Sequence, residues 1–160
     1  MSVEVVEYDD TWPARFTAEA DQVRAALGPE LRRIDHVGST SVPGLASKPI
    51  IDIALSVESF ETLDIEALEA LGYRYVREYD ELSPNRRYFS KPGYHLHAYE
   101  REHEEFLDYV RFRDYLRTHD EDRDAYGALK VRLARDHERA EYQDAKSAFV
   151  ARLVAMLRRG

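Results

Sequence analysis

The sequence predicts an α/β (α+β) fold, a mixed sheet of about five strands with helices packed on it and a three-helix segment at the C-terminus. Three observations predict it. Helical and strand-like stretches succeed one another over residues 10–99 without a regular strand–helix–strand repeat. The most apolar run, Ile50-Ile-Asp-Ile-Ala-Leu-Ser-Val57, is continuous rather than alternating, as in a central strand covered on both faces. The last third repeats its apolar positions at three and four residues, the period of packed helices.

Taken in order, residues 10–27 read as a helix: Asp9 or Asp10 can cap it, Pro13 suits its first turn, Gly28 can end it, and Phe16, Ala20, Val23 and Leu27 form an apolar stripe. Residues 32–38 read as a strand with Ile34 and His36 on one face and Asp35 and Val37 on the other. Ser39 to Ser47 is a loop punctuated by Pro43 and Gly44, and Pro49 opens the second strand, residues 50–57. A helix over 59–71 ends at Gly72, and strands follow at 73–79, 86–91 and 94–99. Pro92-Gly93 suits the central positions of a type II turn. Helices at 102–118, 121–138 and 141–158 close the chain. Only about ten residues and no helix join the first two strands, so they are neighbours or antiparallel partners rather than a parallel crossover, and a Rossmann domain is not expected.

The 160 residues fit one domain, 1–160. With no cysteine, disulfides and thiolate metal sites are excluded, in keeping with the cytoplasm. No apolar run approaches the roughly 20 residues needed to span a bilayer, and the acidic N-terminus does not resemble a signal peptide, so no membrane partner is expected. Asp and Glu outnumber Lys and Arg 31 to 23, a net charge of −8. That balance disfavours nonspecific nucleic-acid binding but leaves room for a local pocket for one phosphate-bearing molecule. The only lysines are Lys48, Lys91, Lys130 and Lys146.

Gly38-Ser39-Thr40-Ser41 follows a strand directly. Glycine lets backbone approach a ligand, and exposed amides with three hydroxyls can hold a phosphate. An ordinary tight turn with hydroxyls capping backbone is the competing reading. The loop is not a Walker A motif, because five residues separate Gly38 from Gly44 and Leu45 follows. Asp52 is sharper: a carboxylate inside an apolar strand costs several kcal/mol unless paired, hydrogen-bonded or metal-bound. A structural ion pair with Arg32, Arg33 or Lys48 competes with a functional role.

The string from Asp35 to Ile53, DHVGSTSVPGLASKPIIDI, closely resembles the signature of the GrpB family. His95-Leu96-His97, Arg111-Phe-Arg-Asp-Tyr-Leu116 and the Tyr142-x-x-x-Lys146-x-x-Phe149 element extend the resemblance over nearly the whole chain. The family is similar to nucleotidyltransferases of the polymerase-β type, which carry a Gly-Ser turn, two strand acids one residue apart and a third acid on a later strand. These acids hold two divalent metals. Gly38, Ser39 and Asp52 match the first part. Ala54 stands where the second acid is expected, and residues 94–99 offer His95 and His97 instead of the third.

The resemblance and the residues together nominate Asp52, His95 and His97 as catalytic groups. Gly38, Ser39, Thr40, Ser41, Lys48, Tyr142 and Lys146 are candidate phosphate or substrate contacts. Asp52 with His36, His95 and His97 is a candidate set for a divalent cation, Mg or Mn, since two imidazoles and a carboxylate form a recognised set. A histidine as general base is the equal alternative. His103, His119 and His137 fall in charged helical sequence and read as solvated. Arg111 and Arg113 are equally explained by Asp108 and Asp114, and Tyr88, Tyr94 and Tyr99 by strand packing. The ligand expected is a nucleotide or phosphorylated small molecule, with metal-dependent nucleotidyl or phosphoryl transfer as its finest form. A non-catalytic binding module and a metal-dependent hydrolase on His36, Asp52, His95 and His97 remain alternatives. A serine hydrolase is disfavoured, since the Gly-x-Ser-x-Gly elbow is absent.

Overall fold

The computed structural model describes residues 4–136 and 139–159. Its sheet has five strands, β1 (Leu31–Val37), β2 (Ile51–Val57), β3 (Arg74–Tyr75), β4 (Arg86–Lys91) and β5 (Tyr94–Glu100), in the order β1-β2-β5-β4-β3. β1 and β2 are antiparallel, β2 and β5 parallel, and β5, β4 and β3 antiparallel in turn. The mixed sheet is the one the sequence predicts. β2, flanked by a strand on both sides, is its most apolar segment.

Register sorts the side chains. Ile53 of β2 lies beside His36 of β1 and Leu96 of β5, whereas Asp52 lies beside Val37 and His95, and Ala54 beside Asp35 and His97. The first set faces α1 (Trp12–Leu27) and α2 (Ile65–Ala70), where Trp12, Val23, Leu27 and Leu68 bury against Ile51, Ile53, Leu55 and Leu96. The second set faces α4 (Glu104–Thr118), whose Phe106 and Val110 cover Val37, Ala54 and Tyr99. α5 (Asp120–Asp136) and α6 (Arg139–Arg159) pack outside α4: Phe112, Leu116 and Tyr126 enclose Val42 and Leu45, and Phe149 stacks on Tyr126 at 5.0 Å.

Asp9 supports the start of α1 by accepting from the Thr11 amide at 2.8 Å and its hydroxyl at 2.7 Å. Gly93, at φ 85°, takes the left-handed position a type II turn requires between β4 and β5. Two elements differ from expectation. The helix expected over 59–71 is confined to Ile65–Ala70, because Asp64 caps it and accepts from Ala67 N at 3.0 Å. The strand expected over 73–79 keeps only Arg74–Tyr75, since it is an edge strand with β4 as its one neighbour. The chain then turns into a short helix, α3 (Tyr79–Leu82). The expected end of α5 at 138, with His137, lies outside the described residues. No helix among the described residues is long and apolar enough to cross a membrane.

Candidate functional site

Between the second face of the sheet and helices α4–α6 lies a cavity of about 1020 Å³, lined by Gly38, Ser39, Lys48, Asp52, Arg86, His95, His97, Lys130, Tyr142 and Lys146 and walled by Tyr88, Tyr99, Tyr109 and Tyr126. Asp52 forms its floor, with 30% of its side chain accessible. The carboxylate does not pair with Arg32 or Arg33, which bind Glu58 at 2.9 Å and Asp35 at 2.7 Å. Instead His97 Nε2 lies 3.0 Å from Asp52 Oδ1, and His95 Nδ1 lies 3.6 Å away, ion-pair range but too long for a hydrogen bond. Burial works to raise the Asp52 pKa, yet its interactions with His95 and His97 outweigh burial and hold the carboxyl well below the usual range.

The far side of His97 settles its tautomer. Arg86 Nη1 lies 3.3 Å from His97 Nδ1, and a guanidinium only donates, so Nδ1 accepts and Nε2 carries the proton given to Asp52. Burial, ahead of any pull from Asp52, lowers the His97 pKa and keeps the ring neutral. Tyr88 and Tyr109 pack against the ring at 5.3 and 5.1 Å. Their phenols are pushed up to about 12 by burial and so remain donors. His95, with 29% of its side chain accessible, is the more open imidazole of the two.

Lysines face this floor from the helices. Lys130 is 1% exposed, and its Nζ sits 4.9 Å from the centre of the Tyr126 ring. Lys48 lies 5.2 Å over the Tyr142 ring, and Tyr142 and Lys146, four apart on α6, both reach the cavity as their spacing predicts. Among the described residues, Lys130 and Lys146 have no carboxylate in ion-pair range. Desolvation lowers the pKa of both, that of Lys130 well below 10.5 with Lys146 adding repulsion. Arg86 Nε, buried on the His97 side of the cavity, has no acceptor among the described residues.

The Gly38–Ser41 loop divides. Gly38 adopts φ 72°, and a Cβ there would stand 2.7 Å from Asp52 Oδ2, so glycine is required by both conformation and space. Ser39 faces the cavity. Thr40 and Ser41 are buried and turned inward: the Thr40 hydroxyl lies 2.9 Å from His36 Nε2, and the Ser41 hydroxyl and amide both donate to Gly38 O. Arginines hold the loop from outside. Arg113 donates to Asp35 at 2.9 Å and to His36 O at 3.2 Å, and Arg117 to Ser41 O at 2.9 Å.

His36 does not join Asp52. Its odd register places it on the opposite face, stacked on Phe16 at 4.8 Å, and burial lowers its pKa to about 4. With His97 committed on both nitrogens, only Asp52 and His95 remain as ligands. Among the described residues, no three His, Asp or Glu side chains group to hold a metal ion. Ala54 withholds the second acid, and Asp35, its neighbour on that face, is taken up by Arg33 and Arg113. The donor set therefore does not fit a two-cation carboxylate clamp, and the four-ligand hydrolase centre on His36 does not form.

Of the remaining expectations, Arg111 binds Glu104 at 2.7 Å and Arg113 binds Asp114 at 2.9 Å, as well as Asp35. His103 caps α4, accepting from Glu105 N, and His119 is exposed against Tyr115. Tyr94 packs into the α1 face, whereas Tyr88 and Tyr99 line the cavity. Sequence reading overlooked Arg86, Tyr109, Tyr126 and Lys130 as site residues. Lys130 had a signal: it follows Tyr126 by four and precedes Leu133 by three, a lysine inside an apolar helical stripe.

Residues 2–156 match the family described as GrpB protein. The chain belongs to the GrpB family. It is 41% identical over 160 residues to a UPF0157 protein of Halalkalibacterium halodurans, covering 96% of this chain and 81% of that one. The crystal structure of the conserved protein GrpB from Enterococcus faecalis superposes with a TM-score of 0.89 at 34% identity, covering 96% of each chain. A stretch amounting to 44% of this GrpB chain is 41% identical to 19% of a dephospho-CoA kinase of Mycolicibacterium paratuberculosis.

Proposed function

We propose that this GrpB protein binds a nucleotide or related phosphorylated small molecule in the cavity above Asp52. One observation carries the reading: a chain of net charge −8 turns Lys48, Lys130, Lys146 and Arg86 into a single cavity with Asp52 on its floor. Lys130 and Lys146 have no carboxylate in ion-pair range among the described residues; burying such amines is costly, and an anionic ligand relieves that cost. Arg86 Nε, buried without an acceptor among the described residues, supports the same reading. The tyrosine walls provide flat faces and phenol donors for a base or sugar. The partial likeness to a chain named dephospho-CoA kinase is in keeping with a phosphorylated ligand.

The binding-module form has the stronger support. Ala54 and the engaged Asp35 leave Asp52 without a second strand acid beside it, so group transfer would rest on Asp52 and His95 as an acid–base pair rather than on paired metals. Isothermal titration with nucleoside triphosphates, with and without Mg²⁺ or Mn²⁺, tests the reading. Binding is expected, and Asp52→Asn should alter it. Titrations showing no heat with any of them sink the proposal. Metal-dependent turnover in a product screen would instead favour the transferase form.

A further inference from the structure

The resemblance to polymerase-β-type enzymes places the ligand's phosphates on the Gly38–Ser41 turn. The geometry of the cavity points elsewhere. Two of the three hydroxyls in that turn, on Thr40 and Ser41, face inward, and the Ser41 and Val42 amides bond within the turn. Asp52 stands against Gly38, so any anion seated there meets a carboxylate whose charge is already set. On the opposite wall, α5 and α6 present Lys130 and Lys146. Lys130 is fully enclosed, and neither amine has an acid in ion-pair range among the described residues.

Resting on the reading that the cavity takes a phosphorylated ligand, we propose that a phosphate group seats between Lys130 and Lys146 rather than on the glycine–serine turn. We propose further that its binding draws a proton into the site. The charged and titratable groups facing Lys130 are Lys146 and Tyr142 from α6, Lys48 from the loop before β2, Asp52 from β2 and Tyr126 from its own helix. Asp52 is the acid whose charge acts on Lys130, and it is held by His97 and His95; Glu4 and, from α4, Glu105 and Asp108 also line the cavity, with Asp108 bound by Arg158. Burial and the neighbouring Lys146 disfavour the ammonium form of Lys130 in the empty site. A phosphate dianion beside both amines reverses that balance and favours the ammonium form, so binding is coupled to proton uptake. The phosphate-binding wall is thus built by the C-terminal helices, and the Asp52–His95 floor is left facing the rest of the ligand.

Calorimetry separates the possibilities. ATP, and sulfate as a dianion without a titrating proton, are titrated into the full-length protein at about pH 8.5, where the phosphate's own second proton is gone. Each titration is run in two buffers of unlike ionisation enthalpy. The expected result is a binding enthalpy that changes with the buffer in the sense of proton uptake. Lys130→Met and Lys146→Met should each weaken binding roughly 10- to 100-fold and reduce the uptake, with Ser39→Ala affected less. Binding with the same enthalpy in both buffers overturns the proton coupling while leaving phosphate binding intact. A larger loss in Ser39→Ala than in either lysine variant returns the phosphate to the turn. If neither ATP nor sulfate binds, the phosphorylated-ligand reading falls with it. The wild-type measurement in two buffers does not depend on any variant folding.

Discussion

At the scale of single residues, His36, Asp52 and Gly38 separate structural from functional demand. His36 has its pKa lowered to about 4 because burial penalises the imidazolium, with Arg117 adding repulsion. The unfolded chain therefore binds more protons than the native one between pH 4 and 6.5. Stability is complete above 6.5 and is lost as pH falls toward 4. At about 1.4 kcal/mol per pH unit that interval is worth about 3 kcal/mol. His36→Phe should flatten this part of the stability curve, measured by urea unfolding at several pH values. An unchanged curve would refute the assignment. Asp52 acts in a lower window, because a lowered carboxylate pKa loses its contribution only below the usual carboxylate range. Gly38→Ala forces a side chain into a left-handed conformation against Asp52 and should cost about 2 kcal/mol or more. It should also abolish ligand binding, because the carboxylate must move.

At the scale of elements, the β1–β2 connection depends on the arginines of α4. Asp35 receives Arg33 and Arg113, and Arg113 also holds His36 O. Burial raises and the two guanidiniums lower the Asp35 pKa, with lowering the net result. Arg113→Ala should cost about 1–3 kcal/mol, since Asp35 keeps Arg33 but the loop loses a buried donor. Amide hydrogen exchange across Ser39–Leu45 should accelerate in that variant, and a loop as protected as in the wild type would show that Arg117 alone suffices. Much of this level was legible beforehand. Most elements follow from periodicity and caps, but β3 and α2 are shorter than their sequences suggest. The alternation of Tyr73 to Val76 describes a strand, yet only position on a sheet edge decides how far it pairs.

At the scale of the molecule, an acidic body buries two lysines, Lys130 and Lys146, in one wall of an interior cavity, and stability is traded against that wall. Lys130 has its pKa pushed down by burial, so the native state binds fewer protons than the unfolded one from the folded pKa up to 10.5. Stability should therefore rise with pH across that range. Lys130→Met removes the penalty and should stabilise the protein at neutral pH by about 0.5–2 kcal/mol, seen as a higher Tm, while ligand binding weakens. A lower Tm would mean that the buried amine already has a stabilising partner in the native state.

Most elements, the family and the candidacy of Asp52, His95, His97, Lys48, Tyr142 and Lys146 are legible along the chain, because local periodicity and motif spacing are one-dimensional properties. The sequence by itself did not determine which of them meet. His36 and Asp52 belong to one short motif, yet strand register puts them on opposite faces of the sheet. Lys130 and Arg86 belong to no motif, yet the docking of α5 and the placement of β4 beside β5 bring both into the lining of one cavity. Convergence from separate elements depends on strand order and helix packing, which arise from contacts far apart in the chain.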